Sequence, residues 1–164
     1  MNNWNAIKQH YDWARPVIMA ERSDEWAIDP YAWDCGIMRL TPIEDWLWQD
    51  IRQANAVMYP QWPVNGVFLD FANPAALVAI ECDGAAFHQD KEKDRRRDEK
   101  LEALGWRIYR APGYLCATDY DEETGELSDA RKFIDEICSK HPIKRLVRES
   151  GWVSFGKQPG KVPA

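Results

Sequence analysis

No apolar run in the 164 residues approaches the ~20 that a membrane helix needs, so no membrane association is expected. The opening stretch MNNWNAIKQHYDW lacks the basic-then-apolar order of a secretory signal, and a cytoplasmic location is the default expectation. No CxxC pair occurs. Cys35, Cys82, Cys116 and Cys138 are widely spaced and could form two disulfides, but without a secretory signal reduced thiols are expected, and a zinc site is not, since Cys82 alternates away from the carboxylate face. No internal repeat is visible either, since the nine tryptophans crowd toward the first half without a period. Positive charge is in deficit, 21 Lys and Arg against 27 Asp and Glu, so nothing in the total suggests a polyanion partner. The most informative absence is local. Between Gln61 and His88 there is no lysine or arginine, yet Asp70, Glu81 and Asp83 are all there.

What is present bounds the class. Hydrophobic content of 45% and aromatic content of 12% argue against disorder, and the length suits one domain with a real core. Charge is unevenly placed: residues 89–100 carry six basic and five acidic groups, and residues 139–164 carry six and one. Three stretches are expected: an aromatic and acidic extension over 1–40 that packs on the core or on a protein partner, a core over 41–141, and a basic tail over 142–164. The extension holds helix-length pieces at roughly 3–14 and 16–27, separated at Pro16.

The clearest helix start is TPIEDWLWQDIRQA. Thr41 suits the N-cap, Pro42 the first helical position and Glu44 the third, which makes a capping box, and Ile43, Leu47, Ile51 and Ala54 follow at helical spacing. Val57 to Phe71 reads as extended, Asn73-Pro74 as a turn, and Leu77 to Asp83 as a strand. A charged helix over about 90–104 ends at Gly105. WRIYRA from Trp106 is a further strand, 117–125 an acidic loop, and Ser128 caps a helix over about 129–139 that the following IKRLVRES extends. In that last helix Phe133, Ile134 and Ile137 face inward. The order predicts a mixed α/β fold with a small central sheet flanked by helices.

A hairpin centred between Ala75 and Ala76 sets Asp70 directly opposite Glu81, on the face that also carries Phe68, Leu77, Ala79 and Asp83. Opposed side chains in such a pair stand about 4.5–5.5 Å apart at Cβ, and like charges there repel. A divalent cation turns that repulsion into coordination, and oxygen ligands suit Mg²⁺ or Mn²⁺. The bland alternative is a solvated strand face.

The string IECDGAAFH, then D-x-x-R-D-x-x-L-x-x-x-G and the strand WRIYR, resembles the PD-(D/E)XK nuclease superfamily. More narrowly it is similar to very-short-patch-repair (Vsr) endonuclease-like domains. The positions that match are Glu44, Gln61, Asp70-Phe71, Glu81-x-Asp83-Gly84, His88, Asp94, Arg97, Asp98, Leu101, Gly105 and Arg110, so the resemblance covers about 41–112. It implies a restriction-endonuclease-like core and metal-dependent hydrolysis of DNA phosphodiester bonds. Asp70 and Glu81 would hold Mg²⁺ or Mn²⁺, with the backbone carbonyl of Cys82 a further ligand. Asp83 stands where the superfamily has lysine. His88 is then the candidate general base or acid, Lys91 or Lys93 the candidate replacement cation, and Asp83 a candidate second-metal ligand or an orienter of His88. Glu44 joins the catalytic candidates beside its capping role. Gln61, Lys91, Lys93, Arg95, Arg96 and Arg110 are the nucleic-acid candidates, although Arg110 equally suits neutralising a core acid and Gln61 ending a strand. Asp94 and Arg97, one turn apart, are expected to pair and leave Arg95 and Arg96 outward. The structural zinc ligands of Vsr-like repair enzymes have no counterpart here.

Two other readings remain. A catalytically inactive nuclease fold that binds nucleic acid or a protein partner is consistent with the missing lysine and the tryptophan-rich start. A glycan hydrolase uses paired carboxylates roughly 5–9.5 Å apart without metal.

Overall fold

In the computed structural model, residues 3–20, 38–84 and 91–145 are described. Among these residues four strands form one sheet in the order β1-β2-β3-β4: β1 (Tyr59–Val64), β2 (Val67–Asn73), β3 (Val78–Asp83) and β4 (Arg107–Pro112). The first three run antiparallel and β4 runs parallel to β3, so the sheet is mixed. The helices are α1 (Trp4–Ala20), α2 (Pro42–Gln53), α3 (Lys91–Ala103), α4 (Gly113–Cys116) and α5 (Asp129–Lys140). This is the mixed α/β, restriction-endonuclease-like arrangement that the sequence predicts. Among the described residues no helix is long and apolar enough to cross a membrane.

The two faces of the sheet are covered differently. On one, Trp48 of α2 stacks on Phe71 of β2 at 5.4 Å, Phe133 of α5 meets Tyr109 of β4 edge-on at 6.3 Å, and Cys116 of α4 lies 3.9 Å from Cys82 of β3. On the other lies α3, whose single fully buried side chain is Leu101 and whose Arg97 and Asp98 reach the sheet's charged groups. Leu47 and Ile51 are buried on α2, Ala54 at its C-cap, and Ile134 and Ile137 on α5, as their helical spacing predicts, while Ile43 and Phe133 are half-buried. Ser128 caps α5, its hydroxyl accepting the Arg131 N–H at 3.0 Å.

Several expectations need correction. The extended run 57–71 is two strands, because Asn65 (φ 48°) and Gly66 (φ 77°) form a two-residue turn joining Val64 to Val67. Asn-Gly favours that left-handed pair, whose twist matches the flanking strands. Leu77 (φ 56°) belongs to the turn before β3, not to the strand face. Pro16 does not divide the first helix: α1 passes through it, burying Ile7, Tyr11, Ala14 and Ile18 at four- and three-residue steps. Helix α5 stops at Lys140, with His141 extended, so IKRLVRES does not continue it over 141–145. The one-turn α4 was not anticipated. Gly105 (φ 96°) does end α3, leading into Trp106 and β4.

Helix α1 closes the open edge of the sheet. Pro60 and Pro63 lie in β1, an edge strand, where a residue without N–H costs no ladder bond on the outer side. Their carbonyls accept from the Tyr11 hydroxyl and the Arg15 guanidinium of α1. Arg15 also lies over the Trp62 ring, 4.9 Å from its centre.

Candidate functional site

The β2–β3 pairs Asn73–Val78, Ala72–Ala79 and Phe71–Ile80 fix a register that brings Asp70 opposite Glu81 at the next step. There the carboxylates replace the ladder. The Asp70 N–H donates to Glu81 Oε2 at 3.1 Å, and the Cys82 N–H donates to Asp70 Oδ2 at 2.8 Å. The same register logic extends the row both ways. Gln61 falls between the pairs Pro60–Phe71 and Trp62–Leu69, opposite Asp70, and Arg110 of β4 pairs with Glu81. Gln61, Asp70, Glu81 and Arg110 thus occupy one line across all four strands. Gln61 is 2% exposed and has φ 54°, a left-handed conformation that a non-glycine residue holds only where its surroundings enforce it.

The charges do not stand alone, contrary to the sequence reading. Glu81 is paired with Arg97 of α3, and Asp83 with Arg110 at 2.9 Å. Arg110 also binds Asp98 at 2.6 Å. Arg97 therefore turns to the sheet rather than to Asp94, and Arg110 takes the role of neutralising acids. Burial works against the Arg110 guanidinium, but Asp98 and Asp83 outweigh it and raise its pKa. Asp70 receives one backbone N–H and no cation in these contacts. Burial first, then repulsion from Glu81 and Glu44, holds its carboxyl well above the usual carboxylate range. Glu44, at the start of α2, accepts the Thr41 N–H at 3.0 Å as its capping spacing predicts. Burial pushes its pKa up too, with repulsion from Glu81 a smaller cause. Glu44, Asp70 and Glu81 therefore feel one another electrostatically, with Arg97 as the counter-charge.

This donor set suits a hard divalent cation. Among the described residues no three His, Cys, Asp or Glu side chains converge as a cage. Mg²⁺ needs none: it keeps several waters and takes one or two carboxylates together with substrate phosphates. The Cys82 thiol points away, toward Cys116, and its pKa is pushed up by that hydrogen bond and by burial. Only the Cys82 backbone is available to the acid pair. Among the described residues, Cys82, Cys116 and Cys138 form no disulfide.

The remaining candidates divide by the face of α3 on which they lie. Lys91, Arg95 and Arg110 share a cleft of about 570 Å³ with five acids, among them Asp83, Asp94 and Asp98. Arg95 is bound by Glu92 and Glu99 of its own helix. Lys93 and Arg96 lie in a second cleft, with Arg97. His88 lies outside the described residues.

A family model matches residues 44–130, just over half of the 164 residues. The chain belongs to the restriction-endonuclease-like family REase_MTES_1575. The REase_MTES_1575 match begins at Glu44 and runs through β1, the acid pair, α3 and β4 to the first turn of α5. No curated protein matches the chain. Among solved structures, the catalytic domain of homing endonuclease I-Bth0305I is similar, with 19% identity, a TM-score of 0.40, and cover of 62% of this chain and 90% of that one. Sequence reasoning missed Arg97 as a partner of Glu81. Its signal was the position of Arg97 in the charged helix, but the phase of that helix over the sheet was not readable.

Proposed function

We propose that this protein is a metal-dependent endonuclease that hydrolyses DNA phosphodiester bonds, with Asp70 and Glu81 holding Mg²⁺ or Mn²⁺. One observation carries the reading. Two acids face each other where the β2–β3 ladder opens, one of them with no cation beside it among the described residues and held above its usual pKa by burial and by the other. The cost of that arrangement in the free protein is what a bound divalent cation removes. Membership of a restriction-endonuclease-like family supports the same chemistry.

In this reading Asp70 and Glu81, with the Cys82 carbonyl, bind the cation, and Glu44 adds charge from the N-terminal turn of α2. Held there by Asp70 and Glu81, a divalent cation would supply charge neutralisation at the scissile phosphate and would lower the pKa of a coordinated water. The chain's own groups orient the reactants. The backbone N–H groups of Asp70 and Cys82 fix the two carboxylates, so little reorganisation is left for the moment of reaction. Asp83 stands in the place of the superfamily lysine and is paired with Arg110. His88 remains the candidate proton acceptor, and the narrower likeness to Vsr-like domains belongs to the same proposal.

A second reading, an inactive nuclease fold that binds nucleic acid, draws on that Asp83–Arg110 pair. Nicking of supercoiled plasmid in Mg²⁺ or Mn²⁺ separates the two. The endonuclease reading expects nicking that EDTA abolishes and that Asp70→Asn reduces by about a hundredfold or more. Nicking that survives both changes, or no nicking in either metal, sinks it.

A further inference from the structure

Helix α3 segregates its charge. Lys93, Arg96, Arg97 and Lys100 fall at three- and four-residue steps along one stripe, and they line a cleft of about 670 Å³. Its opposite wall is the β1–β2 turn, through Asn65 and Val67, and its floor is apolar, through Leu101, Ala103 and Leu104. No acid lines this cleft among the described residues. Four acids of α3, Asp94, Asp98, Glu99 and Glu102, line the cleft on the other side, while Glu92 bridges the two faces by binding both Arg95 and Arg96. Resting on the nuclease reading, we infer that this cationic cleft seats the phosphodiester backbone of the DNA substrate and leads it to the acid pair.

Three features support that occupant. Four cations and, among the described residues, no carboxylate line the cleft, although Arg96 is paired with Glu92 and Arg97 with Glu81 at its margins; such a lining suits a polyanion and not a cationic ligand. Lys93 to Lys100 spans about 10 Å of helix, comparable to the axial rise over roughly three phosphates of one strand. Finally, Arg97 belongs to both places, lining the cleft and pairing with Glu81, so the cleft is continuous with the carboxylates. A backbone seated there runs past the Asn65–Gly66 turn toward Asp70 and Glu81. The cations of the other cleft, Lys91, Arg95 and Arg110, face acids instead.

The test is the salt dependence of binding of a fluorescent DNA duplex to the full chain in EDTA, where cleavage is blocked. Lys93→Gln and Lys100→Gln are each expected to lower the log–log salt slope by about 0.9 and to weaken binding about eightfold at 0.1 M salt. Lys132→Gln, the same charge change on α5 across the sheet, leaves both unchanged. Thermal melts of each variant show that the fold is retained. If the wild-type chain binds DNA and the α3 variants keep its slope, the cleft is not the backbone site, while the nuclease reading stands on plasmid nicking. If the wild-type chain binds no DNA, the inference falls, and nicking judges the parent reading separately. Tighter binding of an RNA duplex of equal length overturns DNA as the occupant.

Discussion

Asp70 is placed at a cost to the free protein. Its carboxyl titrates well above its ordinary value because it is buried beside Glu81 and Glu44. An acid whose folded pKa is raised holds its proton longer in the native state than in the unfolded one. Its contribution to stability is therefore greatest below the ordinary carboxylate range and declines as pH rises toward its folded pKa. Asp70→Asn removes that penalty, so in EDTA at pH 7 the variant should melt above the wild type, and the gap should close in acid. Equal melting temperatures at pH 7 would contradict the assigned cost. Arg97 supplies the converse case. Its guanidinium and a divalent cation compete for Glu81, whose side chain is 7% exposed. Arg97→Gln should cost about 3 kcal/mol of stability without metal, the low end for a broken buried pair because Arg97 is itself 24% exposed. The same variant should bind Mn²⁺ more tightly by calorimetry, and weaker binding would show that Arg97 builds the site instead. Asp70 and Glu81 were legible in the sequence because carboxylates in apolar strands are conspicuous. Arg97 was not, since it lies 16 residues beyond Glu81 and only the fold brings the two together.

Two turns set the site at the level of elements. The Asn73–Leu77 turn fixes which acid faces which, and a register slip of one residue would move Glu81 to the other face. Its Asn73 is buried, donating to the Val57 carbonyl at 3.0 Å and accepting the Ala76 N–H at 2.8 Å. That turn was readable from Asn73-Pro74. The Asn65–Gly66 turn carried an equally plain signal, yet the continuous apolar run around it obscured the break into two strands. Nothing lies within 4 Å of a side chain added at Gly66, so only its φ of 77° opposes substitution. Gly66→Ala should therefore cost about 1 kcal/mol in denaturant unfolding. No loss would mean that the hairpin does not need the left-handed turn. The charge segregation of α3 was present in the spacing of Lys93, Arg96, Arg97 and Lys100. What the spacing lacked was the direction of each face, which depends on Leu101 anchoring the helix to the sheet.

Across the whole molecule the sheet separates two tasks. One face is apolar and packs α2, α4 and α5, while the other carries the acids beneath α3. Helix α1 closes the β1 edge, and its Tyr11 is fully buried with its hydroxyl on the Pro60 carbonyl. Tyr11→Phe leaves that carbonyl without its donor and should cost about 1–3 kcal/mol. An unchanged stability would mean that α1 adds nothing through that bond. The mixed α/β class followed from the order of patterns in the chain, whereas the closing of the edge by α1 did not, because it depends on contacts 48 and 49 residues apart. All of this architecture presents one acid pair, and the central claim is that the pair binds a divalent cation. Calorimetric titration of Mn²⁺ into the wild-type chain and Asp70→Asn, without DNA, tests it most directly. Saturable binding to the wild type that disappears in the variant is expected. Absence of binding to the wild type, or equal binding to both, would contradict it.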